Sequence, residues 1–364
     1  MSLESQIADR AKEIHTDGYP MSIGEMISLY REGDIDIHPE FQRIFIWTGK
    51  QKTSLIESIL LKIPIPPIFV SQRQDGVWDV IDGVQRLSTI LEFVGAYRNE
   101  AGDQVEPSTL ERTDYLPDLE GCRWDSGPRR FSDALQRDFK RAKVEFRIIR
   151  KESDVNAKYD LFQRLNSGAE LSQQEVRNCL LVMLNKETFK RLTDLASFDP
   201  FQAAVPLSEA KEERAYRQEL VLRFFMQASY AGGEKELPEE FGDYLTTWMR
   251  AAAVEQNDEG TFLDEALFSR TFQIINAALG EDAFRRFDGE RHRGPFSIAC
   301  YEFVTTGVAA NLGYWAENVY LLAKRVRAVW TAAPFRDNSG TGVSPRRRVP
   351  KLIIASRGFF SPGT

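Results

Sequence analysis

Along the first half of the chain, the spacing of apolar residues switches between the period of a helix and that of a strand. Met26, Ile27, Leu29 and Tyr30 follow Ser22 and Glu25 at helical spacing, which predicts a short helix ending near Gly33. Ile35 and Ile37 alternate; Pro39 then removes a ladder donor and holds His38 extended, so a strand leading into an irregular loop is expected. Leu55, Ile56, Ile59 and Leu60 return to the helical period until Pro64, Pro66 and Pro67 forbid continuation. A strand from Ile68 to Ser71 follows, and Asp75-Gly76 between apolar runs predicts a β-hairpin over Phe69 to Ile81. The stretch VWDVIDGVQRLSTILEF, Val77 to Phe93, runs strand into helix with Asp82, Gln85 and Arg86 at the junction. In KVEFRII, Val144, Phe146 and Ile148 alternate against charged partners, and the sheet is expected to close there.

Between Tyr97 and Lys140 the chain is polar and rich in Gly, Pro and charge, as in an elaborated insertion, with a short helix beginning at Ser132. Beyond the last strand the pattern is helical. Val155, Tyr159, Phe162 and Leu165 share one face of a helix that stops at Asn166-Ser167-Gly168, and Ser172 with Glu175 forms a capping box. Further helices are expected at 211–230, 239–254, 261–279, 297–309 and 312–331. The fold class is therefore α+β: a mixed α/β domain over 1–170, a helical domain over 171–333, and a loop-like basic tail over 334–364. No internal repeat is visible.

Composition narrows the chemistry. The 364 residues, 42% hydrophobic, suffice for one large or two ordinary domains. A net charge of -7, from 47 basic and 54 acidic residues, gives no global footprint for nucleic acid, so any such surface is local. Cys122, Cys179 and Cys300 are far apart and odd in number, which argues against a disulfide framework or a Cys-x-x-Cys zinc site and for a reducing compartment. No stretch reads as a signal peptide or a membrane span, so a cytoplasmic location without membrane partners is expected. There is no G-x-x-x-x-G-K-[ST] loop or G-x-S-x-G elbow. With His15, His38 and His292 as the histidines, neither a His-Asn-His nuclease nor an H-E-x-x-H site can be assembled.

Asp82-Gly83-Val84-Gln85 reads as a helix start, with Asp82 capping and Gln85 reaching back. Arg86 conflicts with it, because a first-turn cation faces the positive helix end; an anion would remove the conflict. First-turn N–H groups, Gly83 and a guanidinium together describe a phosphate site, where Asp82 would position Mg²⁺ or polarise water. Gln42 and Arg43 offer a second phosphate or base contact, or Arg43 an ion pair with Glu40 or Glu57. Arg164 and Asn166 face the same region or end a helix; His38 is a base or a structural residue. Arg346, Arg347 and Arg348 form a phosphate-contacting patch or a solvated tail.

Four motifs occur in one order: HPEFQRIFIW, LIESILLKIPIPPIFV, VIDGVQRLSTILEF and LFQRLNSGAELSQQEVRNCLL. Together they resemble the ParB/sulfiredoxin-type N-terminal domain of GmrSD-type, modification-dependent restriction systems and related bacterial antiphage proteins, in the manner of stand-alone members. The resemblance implies a pocket that binds, and often hydrolyses, a nucleoside triphosphate with Mg²⁺, coupled to DNA restriction. It carries over to Asp82, Gly83, Gln85 and Arg86, with Gln42 and Arg43 as the Phe-Gln-Arg element. Asp82, Gln85 and Arg86 are then the catalytic candidates. Two departures stand out: Val84 replaces the first glutamine of the Asp-Gly-Gln-Gln-Arg signature, and the His-Asn-His nuclease region of fused members is missing. The second implies a partner nuclease subunit or a homo-oligomer. The resulting expectation is a nucleoside-triphosphate-binding and hydrolysing component of a defence system that acts on or senses DNA. The alternatives are a non-catalytic DNA-binding or sensor module with a vestigial pocket, and a nuclease holding metal on Asp79 and Asp82.

Overall fold

The computed structural model describes residues 2–3, 15–37, 47–99, 102–151, 153, 172–212, 214–255, 262–340 and 342–363. His38, Gln42, Arg43, Arg164 and Asn166 lie outside the described residues, as does the helix expected from Asp154 to Leu165. The chain is mixed α+β with a helical C-terminal region and divides into two compact units, Met1–Glu170 and Leu171–Thr364.

The first unit is built on β1 (Thr16–Ser22), β2 (Ile35–Asp36), β3 (Ile68–Gln72), β4 (Trp78–Asp82) and β5 (Lys143–Ile149), in the spatial order β1-β5-β3-β4-β2. β1 and β5 pair antiparallel, as do β3 and β4, whereas β3–β5 and β2–β4 are parallel. The sheet does not close at Lys143–Ile149: β5 is an inner strand, and β1 forms the edge beside it. The hairpin turn lies at Asp75-Gly76, where Gly76 takes φ 95° and the Asp75 carboxylate accepts from Val77 N at 3.1 Å. Arg73 braces the far edge by pairing with Asp36 of β2 and Asp79 of β4, Nε donating to Asp79 Oδ2 at 2.9 Å.

Among the described residues the sheet is accompanied by the α-helices α1 (Ile23–Glu32), α2 (Gly49–Leu60), α3 (Val84–Phe93) and α4 (Asp133–Arg141). Each of α1, α2 and α4 begins on a hydroxyl cap, Ser22, Thr48 and Ser132 respectively, and α1 ends on left-handed Gly33. The polar insertion is anchored by aromatic packing. Phe93 of α3 meets Trp124 and Phe131 at centroid distances of 5.7 and 5.1 Å, and Trp124 also meets Phe139 of α4 at 5.6 Å.

The second unit comprises α5 (Gln173–Leu184), α6 (Lys186–Ala196), α7 (Asp199–Ala204), α8 (Glu209–Glu212), α9 (Tyr216–Ser229), α10 (Phe241–Glu255) and α11 (Glu265–Leu279), then the small hairpin β6 (Arg286–Phe287) and β7 (His292–Arg293). It continues with α12 (Ile298–Ala310), α13 (Leu312–Glu317), α14 (Val319–Val329), α15 (Ala333–Arg336) and α16 (Pro345–Phe359). Ser172 and Glu175 make the expected capping box of α5. α12 is buried from Ala299 to Val308 and forms the centre of this unit, as an all-round apolar helix should.

The stretch read as a loop-like tail carries α16. Pro345 occupies the first helical turn, where it has no N–H to lose, and Val349, Leu352 and Ile353 are buried at helical spacing. α16 packs so closely on α12 that a Cβ at Gly307 would meet the Phe360 ring at 2.2 Å. Among the described residues, no helix is long and apolar enough to cross a membrane.

Candidate functional site

β4 delivers Asp82 as its last residue, Gly83 turns the chain at φ 94°, and α3 starts at Val84. Only glycine suits that turn. Besides the left-handed φ, an added Cβ would lie 3.0 and 3.1 Å from Arg86 Nη2 and Nε, and 3.1 Å from Ile68 Cγ1. Gly83 is itself the N-cap and no side chain caps the helix, so the expected Asp82–Gln85 capping box is absent.

Asp82 instead holds Arg86. Arg86 Nη2 donates to Asp82 Oδ2 at 2.8 Å and to the carbonyl of Pro67 at 3.2 Å. The anion that α3's first turn demands is therefore a side chain of the same chain, four residues earlier. This corrects the inference that Arg86 must await a phosphate to be neutralised. One donor stays unused: Arg86 Nε is buried and has no partner among the described residues.

Gln85 serves a different neighbour. Its Oε1 accepts from the backbone N–H of Trp47 at 3.3 Å, which ties the chain just ahead of α2 to the first turn of α3. Val84 is buried, so the position where the resembled signature has a glutamine faces the interior. Glu57, one alternative partner for Arg43, is buried and accepts from Thr113 Oγ1 and from Leu116 N at 2.9 Å.

Asp79 and Asp82, the pair considered for a shared metal, have separate cationic partners: Asp79 is held by Arg73 and Asp82 by Arg86. Among the described residues no group of three or more metal-ligating side chains occurs. A Mg²⁺ here would rest on Asp82 and the phosphates it accompanies, a usual arrangement for that ion.

Arg346, Arg347 and Arg348 do not form one patch. Arg346 Nε donates to Leu237 O at 2.7 Å, and Arg347 pairs with Glu236 at 2.6 Å. Arg348 reaches inward to buried Glu302, Nε and Nη2 donating to Oε2 at 3.1 and 3.0 Å. Glu302 also accepts from Arg223 Nη1 at 2.7 Å, and Glu219 joins Arg223 to Arg177, whose side chain is 1% exposed. Arg348 alone of the three thus joins a buried ionic network that links α5, α9, α12 and α16. Its sequence signal is faint: only Glu219 and Arg223 stand at helical i, i+4 spacing.

Residues 23–182 match the family model described as GmrSD restriction endonuclease, N-terminal domain. The match supports a GmrSD-type N-terminal domain over that segment. It spans the β4–α3 turn, Trp47, α5's first turns and the whole of the sheet except β1, and it points to a component of a restriction or antiphage system. No curated protein matches the chain, and no solved structure does.

Proposed function

We propose that this protein is the nucleotide-responsive component of a restriction or antiphage defence system, with a ParB/sulfiredoxin-like domain that takes a nucleoside triphosphate at the β4–α3 turn. The observation that carries the reading is the half-used guanidinium of Arg86: among the described residues Nη2 has two acceptors while buried Nε has none. Leaving a buried donor unmade costs about 1–3 kcal/mol, a debt that a phosphate oxygen would cancel. A guanidinium engages two oxygens of a phosphate at once, so the polyphosphate competes with Asp82 for Arg86. Asp82, one-third exposed, then becomes available to hold Mg²⁺. That ion would neutralise phosphate charge; Arg86 and the first-turn N–H groups of α3 would fix the phosphates.

A second reading, binding without turnover, is favoured by Gln85, whose amide oxygen is already committed to Trp47. In that case the nucleotide, or DNA alone, is sensed, and cleavage belongs to a partner subunit. Phosphate release from purified protein with and without Mg²⁺, beside direct titration of labelled nucleotide and labelled DNA, separates these outcomes. Release lost in Arg86→Ala and Asp82→Ala supports hydrolysis. Saturable nucleotide binding with no release supports sensing, and binding of DNA alone removes the nucleotide from the account.

A further inference from the structure

We propose that a groove on the first unit, remote in role from the β4–α3 turn, is the docking site for an acidic, aliphatic-rich segment of a partner polypeptide. The groove, about 670 Å³, lies between the chain that leaves α2, the helix α4 and the β1–β5 strand pair. Its lining includes exposed aliphatic side chains: Ile63 is 46% and Leu135 37% accessible. Lys62, Arg141 and Lys143 line it as well.

The charge is locally one-sided. From Arg129 to Lys151 there are nine basic and three acidic residues, in a chain whose net charge is -7. The two carboxylates in the lining are answered already, Asp138 by Arg141 at 3.9 Å and Glu145 by Arg147 at 2.5 Å. Lys62 and Lys143 have no carboxylate partner among the described residues. These two lysines, set beside exposed aliphatic side chains, complement a segment with acidic flanks and apolar anchors. A phosphate backbone would satisfy the cations but leave Ile63 and Leu135 in water, so a polypeptide is the favoured occupant.

Backbone strain marks the same place. α2 ends with Lys62 N donating to Ile59 O at 3.1 Å and Ile63 N donating to Ser58 O at 2.8 Å, the paired bonds of a Schellman stop. The left-handed position of that motif normally falls to glycine, but here Lys62 holds φ 56°. The strain costs roughly 1 kcal/mol, and it sets an ammonium at the mouth of the groove between two exposed aliphatics. The inference does not depend on the nucleotide reading.

The test uses the full chain and fluorescence anisotropy with three labelled probes: a Leu/Glu amphipathic peptide, its Leu/Lys counterpart, and a short DNA duplex. The Leu/Glu peptide is expected to bind and the Leu/Lys peptide not to. Ile63→Asp and a Lys62→Glu/Lys143→Glu double variant should each weaken binding by roughly tenfold or more. Lys62→Gly should weaken it while leaving the melting temperature unchanged or higher, a pairing that a purely structural lysine would not give. Absence of Leu/Glu binding, or binding indifferent to these substitutions, overturns the proposal. DNA binding lost in the same variants overturns it in favour of a nucleic-acid surface.

Discussion

Arg86 and Asp82 are each other's counter-ions across one turn, with Nη2 2.8 Å from Oδ2 and the glycine between them in the left-handed region. The pair places a carboxylate at the positive end of α3 and a guanidinium beside it, so neither charge is left to solvent alone. It also sets a competition: whatever takes Arg86 must displace Asp82. Asp82→Asn removes the competitor, and in the absence of Mg²⁺ it should tighten nucleotide binding several-fold. With Mg²⁺ present the advantage should vanish, since the metal's carboxylate is lost. Titration of labelled nucleotide with and without EDTA checks both arms, and weaker Mg²⁺-free binding by the variant contradicts the competition.

Gly83→Ala tests the turn without touching a charge. Its Cβ would crowd Arg86 and Ile68 at a φ of 94°, so a loss of about 1–3 kcal/mol is expected. Urea denaturation of the variant should show a lower midpoint with an unchanged slope. A shift of neither would mean that the backbone relaxes freely there.

In the second unit, Glu302 is 1% exposed and answers both Arg223 and Arg348. Glu302→Ala takes from buried Arg348 its carboxylate partner and leaves Arg223 with Glu219 alone, for which a loss of about 3–5 kcal/mol is expected. Thermal denaturation should show a marked drop. A replacement that melts with the wild type would mean that the arginines find water.

Stability in alkali should fall early. Burial raises the Tyr216 hydroxyl to about 12, and burial likewise pushes up Tyr301, Cys300 and Cys179. These groups stay protonated in the fold while the unfolded chain begins to release its protons, so the folded state binds more protons and stability declines as pH rises. For Tyr216 the decline begins near its unperturbed value of 10.0 and ends near 12, on the order of 2–3 kcal/mol. Tyr216→Phe should make the slope of stability against pH shallower across that window; an unchanged slope contradicts the assignment.

Much of this architecture was legible in the order of residues, for identifiable reasons. Caps at Ser22 and Ser172, the Asp75-Gly76 turn and the period-two run of β5 are local signals that tertiary packing reinforced. β1 was not legible, because an edge strand exposed at its first five positions shows no alternation of apolar and polar residues. α16 was hidden by its arginines: basic composition suggested solvent, while their targets, Glu236, Glu302 and Leu237 O, lie far away in sequence. At the candidate site the strand–turn–helix frame and its residues were legible, but the helix-dipole argument for a phosphate was incomplete. It counted the cation at Arg86 and overlooked that Asp82 stands at the i, i+4 spacing that pairs charges.

The most direct test of the central claim is equilibrium titration of fluorescent ATP and GTP analogues, with Mg²⁺, into wild-type protein and Arg86→Ala, whose folding is verified by melting. Saturable binding by the wild type, weakened at least roughly tenfold in the variant, is the predicted result, matching the loss of a charge-assisted contact of about 1.5–3 kcal/mol. Equal affinity in both proteins, or no binding by either, would contradict the claim that Arg86 is held by Asp82 in readiness for a polyphosphate.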